Sequence, residues 1–370
     1  MKIALVHDWF NTKLGGAERV ALELAKLFPE APVYTLMFNK SKFGDLIDPA
    51  RIRTSFLQRL PVGLKNRPRY LLPLIPRAVA SFDFKGYEMV ISSSSAWVKN
   101  IKHPNHTIHI CYCHSPMRFA WDYKDKYMAE QRVDPIQKTG GVILREYVKR
   151  WDKRGSLGVD YWIANSVTVA ERIKRYYQRT AEVVYPPVDT SSFKPIPKSQ
   201  KQNFYLTAGM LTPYKKIDLV ITAFNISGRR LIVMGEGTEY DRLSKLANDN
   251  VQLVGFVDEA AKRRLFAQAR GLIFPAEEDF GIAPIEAMAS GTPVIAYGAG
   301  GLTETVVEGK TGLFFERQTP QAINQTLDRF EGMDFYPPDL TNQAARFDRS
   351  VFRHKIKSIV QQVTSDVSSK

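Results

Sequence analysis

Cysteine is nearly absent from this chain. Cys111 and Cys113, in IHICYCHSP, are the only two. Two apart, they share one face of a strand. A C-x-C pair without further Cys/His spacing does not make a zinc site. The pair reads as two reduced, buried thiols in a reducing compartment. No apolar run approaches the roughly 20 residues that cross a bilayer. The opening MKIALVHDW is a short apolar strand without a signal-peptide h-region, so a cytoplasmic protein is expected. There is no Asp-x-Asp, the usual hint of a divalent metal on a phosphate, and neither a metal nor another cofactor is expected. Gly235-Glu236-Gly237, a G-x-G at a strand end, lacks the third glycine of a dinucleotide fingerprint, which argues against an ordinary dehydrogenase. Solenoid repeats and low-complexity tracts are also missing.

Charge of one sign is plentiful. The net charge is +14. Residues 1–187 hold 30 Lys/Arg against 17 Asp/Glu, and residues 188–370 hold 22 against 21. The asymmetry points the first half at an anionic partner. No DNA- or RNA-binding module accompanies it, so nucleic acid is not the expected partner. Residues 51–77 carry seven Lys/Arg and no acid, interleaved with Phe56, Leu57, Leu60, Leu64, Tyr70, Leu71, Leu72 and Ile75. Basic and apolar residues together suit an anionic membrane surface or a lipid-pyrophosphate. Prolines 61, 68, 73 and 76 predict several short pieces there rather than one amphipathic rod.

Strand-like runs alternate with helical segments throughout. KIALVH, EMVISSS, TIHICYC, DYWIANS and AEVVYPP are followed, after residue 200, by NFYLTAG, RRLIVMGEG, NVQLVGF, GLIFPAE, TPVIAYG and TGLFFE. Such alternation predicts parallel sheets with crossover helices. The Pro/Ser/Lys-rich PPVDTSSFKPIPKSQKQN separates the two series as a linker. The expected organisation is an α/β chain with two doubly wound, Rossmann-like domains facing a cleft. These are 1–187 and 188–340, with a terminal helical segment, 341–370, packing back over one of them. Ligands in such folds bind beyond the C-terminal ends of the strands.

GLIFPAEEDFGIAPIEAMASGTPVIAYG reads strand, loop, helix, turn, strand. Pro284 suits the first helical turn and Gly291 the position past the end. The loop thus leads into a helix N-terminus, whose unpaired N–H groups and partial positive charge suit a phosphate. Glu278 lies in the loop and Glu286 a short turn into the helix, so the two reach different parts of one extended ligand.

Glu278 and Glu286, seven residues between them, resemble the E-x7-E signature of retaining glycosyltransferases of the GT-B fold, glycosyltransferase family 4. The resemblance implies that Glu286 binds the ribose hydroxyls of a nucleotide-sugar and Glu278 the donor hexose. It implies that the backbone amides of Phe280, Gly281, Ile282 and Ala283 meet the sugar and diphosphate. GGAER, with Gly15 and Gly16, resembles the family's glycine-rich loop after the first strand. CHSPMRFAWD places His114 where the family has a histidine contacting the donor sugar across the cleft, with Arg118 on the acceptor side. GMLTPYKKIDLVI resembles the segment whose lysine, here Lys215, neutralises the diphosphate, flanked by Gly209 and Lys216. GAGGLTETV resembles a further glycine-rich loop. One position departs: Met210 stands where the family has a second phosphate-binding arginine. The missing charge-assisted contact is worth roughly 1.5–3 kcal/mol.

The implied reaction moves a hexose, mannose or glucose, to a glycan or lipid-linked acceptor in exopolysaccharide or glycolipid synthesis. Anomeric configuration is retained and no metal is involved. Negative charge grows on the leaving diphosphate, which calls for fixed positive potential there. The base is expected beside Phe256 and Val257. Glu259 is placed to accept from guanine, so GDP-mannose is favoured over a UDP-sugar, although Asp258 as N-cap and Glu259 in a first turn are also ordinary helix chemistry. A peripheral position at the inner face of the plasma membrane follows from residues 51–77. A non-catalytic nucleotide- or glycan-binding protein is the reading that Met210 keeps open.

Overall fold

A computed structural model describes residues 1–11, 14–65, 71–121 and 135–368. The chain divides into two compact units, Met1–Tyr185 and Pro186–Lys370.

The first unit is built on seven parallel strands. They are β1 (Ile3–His7), β2 (Val33–Thr35), β3 (Ile52–Thr54), β4 (Met89–Ser94), β5 (Ile108–Cys113), β6 (Tyr161–Ala164) and β7 (Glu182–Val183), in the order β3-β2-β1-β4-β5-β6-β7. β4 is buried along its whole length, as expected of a strand covered on both faces. Cys111 and Cys113 are fully buried free thiols on one face of β5, packed with Val159, Trp162 and Ile173. Burial pushes the Cys111 thiol up to about 12, so it stays protonated and unreactive.

Two devices fix the ends of these strands. The Asp8 carboxylate, just past β1, accepts four backbone N–H bonds, from Ser95, Ala96, Trp97 and Val98, at 2.6–2.9 Å. It thereby satisfies the orphan donors of the short turn after β4. Lys99, on that turn, is fully buried. Its Nζ lies 2.5 Å from Asp152 Oδ1 and donates to Ala96 O. Asp152 also accepts from Trp121 Nε1 and Tyr177 Oη. Burial opposes the lysine's charge, but Asp152 outweighs it and holds the Lys99 pKa above its ordinary value.

The second unit has six parallel strands: β8 (Tyr205–Ala208), β9 (Leu231–Met234), β10 (Val251–Gly255), β11 (Leu272–Phe274), β12 (Val294–Tyr297) and β13 (Gly312–Phe315). Their order is β10-β9-β8-β11-β12-β13. Both sheets therefore reverse direction of growth beside their first strand, β1/β4 in one and β8/β11 in the other. That reversal opens a crevice at the carboxyl ends. The stretch read as a linker is tied to this unit. Val188 N–H donates to Phe347 O, Thr190 to Asp348, and Asp189 pairs with Arg349. The terminal helix, Arg349–Ser368, buries Phe352, Ile356, Ile359, Val360 and Val363 along one face.

Residues 51–77 do break into short pieces, but part of the segment is structural. It contains β3, and Leu57, Leu71 and Ile75 are buried in the core. The Arg51 guanidinium donates to the carbonyls of Ala25, Phe28 and Ala31, closing the end of the helix Gly16–Leu27. Phe56, Val62, Leu64 and Leu74 remain exposed, alongside Arg53, Arg59 and Arg77. Residues 66–70, with Tyr70, lie outside the described residues.

Candidate active site

The strongest cluster lies where the second sheet reverses. β8 and β11 are paired neighbours, and their following loops converge. Beyond β8 the chain runs Gly209-Met210-Leu211-Thr212 and makes a tight turn, Pro213–Lys215. This loop is held by the turn after β9. Leu211 N–H donates to Glu236 O, and Glu239 N–H to Leu211 O. A Cβ on Gly235 would stand 1.8 Å from Gly209 O, and one on Gly237 2.1 Å from Leu211 O. The glycines that fail as a dinucleotide fingerprint thus let two backbones touch. Met210 is exposed on this loop. Lys216 takes a left-handed conformation, φ +55°, as N-cap of the helix Ile217–Ser227.

This geometry carries Lys215 to Glu278. Its Nζ is 2.6 Å from Glu278 Oε1, with both side chains largely buried. Burial alone would lower the lysine's pKa. Glu278, with Tyr214, outweighs it and holds the pKa above the ordinary value. Lys215 is therefore a fixed cation across the physiological range.

The loop bearing Glu278 is pinned from its other side. Gly301 N–H donates to Glu278 O at 2.8 Å. Gly300 has φ +63°, and a Cβ there would meet Glu278 O at 2.4 Å; one on Gly301 would meet Asp279 O at 2.4 Å. GAGGLTETV is thus the floor of the Glu278 loop. Gly281, φ +91°, is the N-cap of the helix Ile282–Ala289 and supplies no side-chain cap. Phe280 turns its ring inward against Phe347, leaving backbone at the helix entrance beside Ile282 and Ala283. Gly291, φ +68°, follows the helix end.

Glu286 is buried on that helix, and Lys262 Nζ lies 3.0 Å from its Oε1. The same ammonium meets both oxygens of Glu259, at 3.1 Å and 2.9 Å. Lys262 thereby links two residues chosen from sequence, and it was itself missed. The available signal was its i, i+3 spacing from Glu259 on a helix. Asp258 caps that helix by accepting from Ala261 N–H. Phe256, 75% exposed, stands on the loop after β10, with Val257 beside it.

The remaining candidates belong to the first unit. Gly15 N–H donates to Glu18 Oε2 at 3.0 Å, a self-cap at the start of the helix Gly16–Leu27. His114 follows β5 and is 9% exposed. Burial, then His7, depresses its pKa to about 3, so it is neutral at physiological pH. Arg118 begins the short helix Arg118–Trp121 and is half-buried. Among the described residues, no helix is long and apolar enough to cross a membrane.

Family models match both halves of the chain. The family model described as Glycosyltransferase Family 4 matches residues 14–192, and Glycosyl transferases group 1 matches residues 188–347. The O-antigen chain mannosyltransferase RfbU of Salmonella typhimurium is 29% identical over 195 residues, 50% of this chain and 54% of its own. The chain thus spans about half the length of that relative. The alpha-1,3/1,6-mannosyltransferase of Schizosaccharomyces pombe is 25% identical over 377 residues, 84% of this chain and 70% of its own. Among solved structures, sucrose-phosphate synthase from Thermosynechococcus elongatus superposes with a TM-score of 0.72 at 17% identity, covering 99% of this chain and 100% of that one. Anabaena HepE in complex with UDP-glucose gives 0.67 at 18%, covering 98% and 100%. These last two likenesses bear on the fold. The first unit thus matches one glycosyltransferase family model and the second unit another, on two parallel-sheet domains of the GT-B type.

Proposed function

We propose that this enzyme moves a mannosyl residue from GDP-mannose to a glycan or lipid-linked acceptor in surface-polysaccharide or glycolipid synthesis, with retention of anomeric configuration. The observation that carries the reading is the meeting of Lys215 and Glu278 at the β8/β11 reversal, beside an uncapped helix entrance. A fixed cation and a row of backbone donors suit a diphosphate leaving group, on which negative charge grows as the bond to the anomeric carbon breaks. Glu278 then positions the hexose, Glu286 holds the ribose, and His114 meets a sugar hydroxyl. Arg118 serves the acceptor, which attacks from the face the diphosphate leaves. The departing phosphate takes the acceptor's proton. Lys215, with Lys216 at the same turn, supplies the neutralising charge in place of a metal. The mannosyltransferase names of the relatives support the sugar.

A UDP-sugar is the second reading, and one observation favours it. Both oxygens of Glu259 already face Lys262, so guanine must displace an ion pair to be read there. The exposed apolar and basic residues of segment 51–77 support a peripheral position on an anionic membrane. The test is nucleoside diphosphate release from GDP-mannose, UDP-glucose and an ADP-sugar, with and without a lipid-linked glycan acceptor. Acceptor-dependent GDP release is the expected result. Donor binding without release or transfer, rescued by Met210→Arg, overturns catalysis by the native chain.

A further inference from the structure

We propose that His7, Ser93 and His114 form a one-way hydrogen-bond chain that fixes His114 as its Nδ1–H tautomer, with Ser93 and His7 as positioning residues. The use of that tautomer in sugar transfer rests on the functional reading above; the chain itself does not.

The three residues come from neighbouring strands at the reversal of the first sheet, β1, β4 and the end of β5. His7 ends β1, and Ser93 stands opposite it in β4. His114 follows β5, its backbone N–H donating to Ser94 O. His7 Nδ1 lies 3.0 Å from the Ser93 carbonyl oxygen and 3.2 Å from Ser93 Oγ. A carbonyl only accepts, so His7 Nδ1 carries a proton and shares it between these two oxygens. Ser93 Oγ, already an acceptor, has its own proton to place. Its other neighbour is His114 Nε2, at 2.8 Å. Reversing that bond would leave the hydroxyl proton of a 1%-exposed serine without this acceptor, and a buried donor left unpaired is costly. The proton therefore points at His114 Nε2, and the His114 ring proton sits on Nδ1. The opposite end of the chain agrees. Among the described residues His7 Nε2 is buried without a hydrogen-bond partner, which is tolerable for a bare lone pair and costly for an N–H.

The consequence is a defined polarity. A neutral His114 with its proton on Nδ1 offers a substrate one hydrogen-bond donor and no free ring base. It selects an oxygen that accepts, such as a sugar hydroxyl, and it is not the group that removes the acceptor's proton.

The test is long-range 1H–15N correlation spectroscopy of the imidazoles in the full chain without donor. The His114 signals are assigned by their loss in His114→Gln. Wild type should show His114 protonated at Nδ1 and bare at Nε2. An Nε2–H ring or an imidazolium at neutral pH overturns the chain. Ser93→Ala should abolish the Nδ1–H preference, and Ser93→Thr should restore it. A preference that survives Ser93→Ala also overturns the proposal. The wild-type spectrum requires no variant to fold. An Nδ1–H spectrum upholds the chain whatever the transfer assay returns, so the two readings fail separately.

Discussion

Removing either partner of the Lys215–Glu278 pair should move nucleotide affinity in opposite directions. Lys215 Nζ is 2.6 Å from Glu278 Oε1, and each side chain keeps under a fifth of its surface exposed. A diphosphate competing for this ammonium must share it with the carboxylate. Lys215→Met deletes a charge-assisted contact worth about 1.5–3 kcal/mol, so nucleoside diphosphate should bind roughly 10- to 150-fold more weakly. Turnover should fall by about 10²–10³, the usual loss of one preorganised stabiliser of developing charge. Glu278→Gln releases the ammonium from its partner. A partly exposed ion pair is worth up to about 1 kcal/mol, so the free diphosphate should bind up to roughly fivefold more tightly, while transfer should collapse as the hexose loses its proposed anchor. Titration calorimetry with GDP and UDP reads the first quantity, and steady-state transfer reads the second. Weaker diphosphate binding in Glu278→Gln, or unchanged binding in Lys215→Met, refutes the shared-cation geometry.

Four further outcomes follow from the same structure. Glu286→Ala should raise donor KM at least tenfold, since it removes the buried carboxylate proposed to hold the ribose; an unchanged KM sinks that assignment. Gly300→Ala should cut kcat and lower Tm, because its Cβ meets Glu278 O at 2.4 Å in a φ +63° conformation; wild-type kinetics and melting show instead that the loop yields. His109 and His114 are both held near a pKa of 3 by burial, so the native state resists protons that the unfolded chain takes up near 6.5. Stability is full above pH 6.5 and declines as pH falls toward 3; a flat Tm from pH 7 to 4.5 contradicts the burial of both rings. Neutralising Arg53, Arg59 and Arg77 together should release the protein from anionic liposomes in a flotation assay, and persistent binding removes the membrane role of segment 51–77.

Much of the second unit was legible because its strands and helix ends carry local signals. Asp258 caps a helix, and Gly291 ends another, as their types predict. The pairing of Lys215 with Glu278 was not legible from residue types, because 62 residues separate them and only strand order brings them together. β2 and β3 escaped notice as three-residue strands, too short to show alternation. β3 lies inside a segment whose basic and apolar composition pointed to a membrane instead. Arg51 was counted with that surface charge, yet its guanidinium serves three backbone carbonyls. Charge pattern cannot tell a solvated arginine from one closing a helix. Lys262, Ser93 and His7 were overlooked for a related reason: each matters through a partner that sequence distance hides.

The order of the second sheet also dictates when activity arises during folding. β8, β9 and β10 follow one another along the chain and lie side by side, so that half grows by successive crossovers. β11 instead returns to the far edge of β8 after all three, closing a long loop, a step that topology makes slow. Until it docks, Lys215 faces no carboxylate and the helix entrance is absent. If the donor is held by Lys215 and Glu278 as proposed, nucleotide binding should be a late reporter of refolding, and a nascent chain that ends before residue 272 should hold no donor.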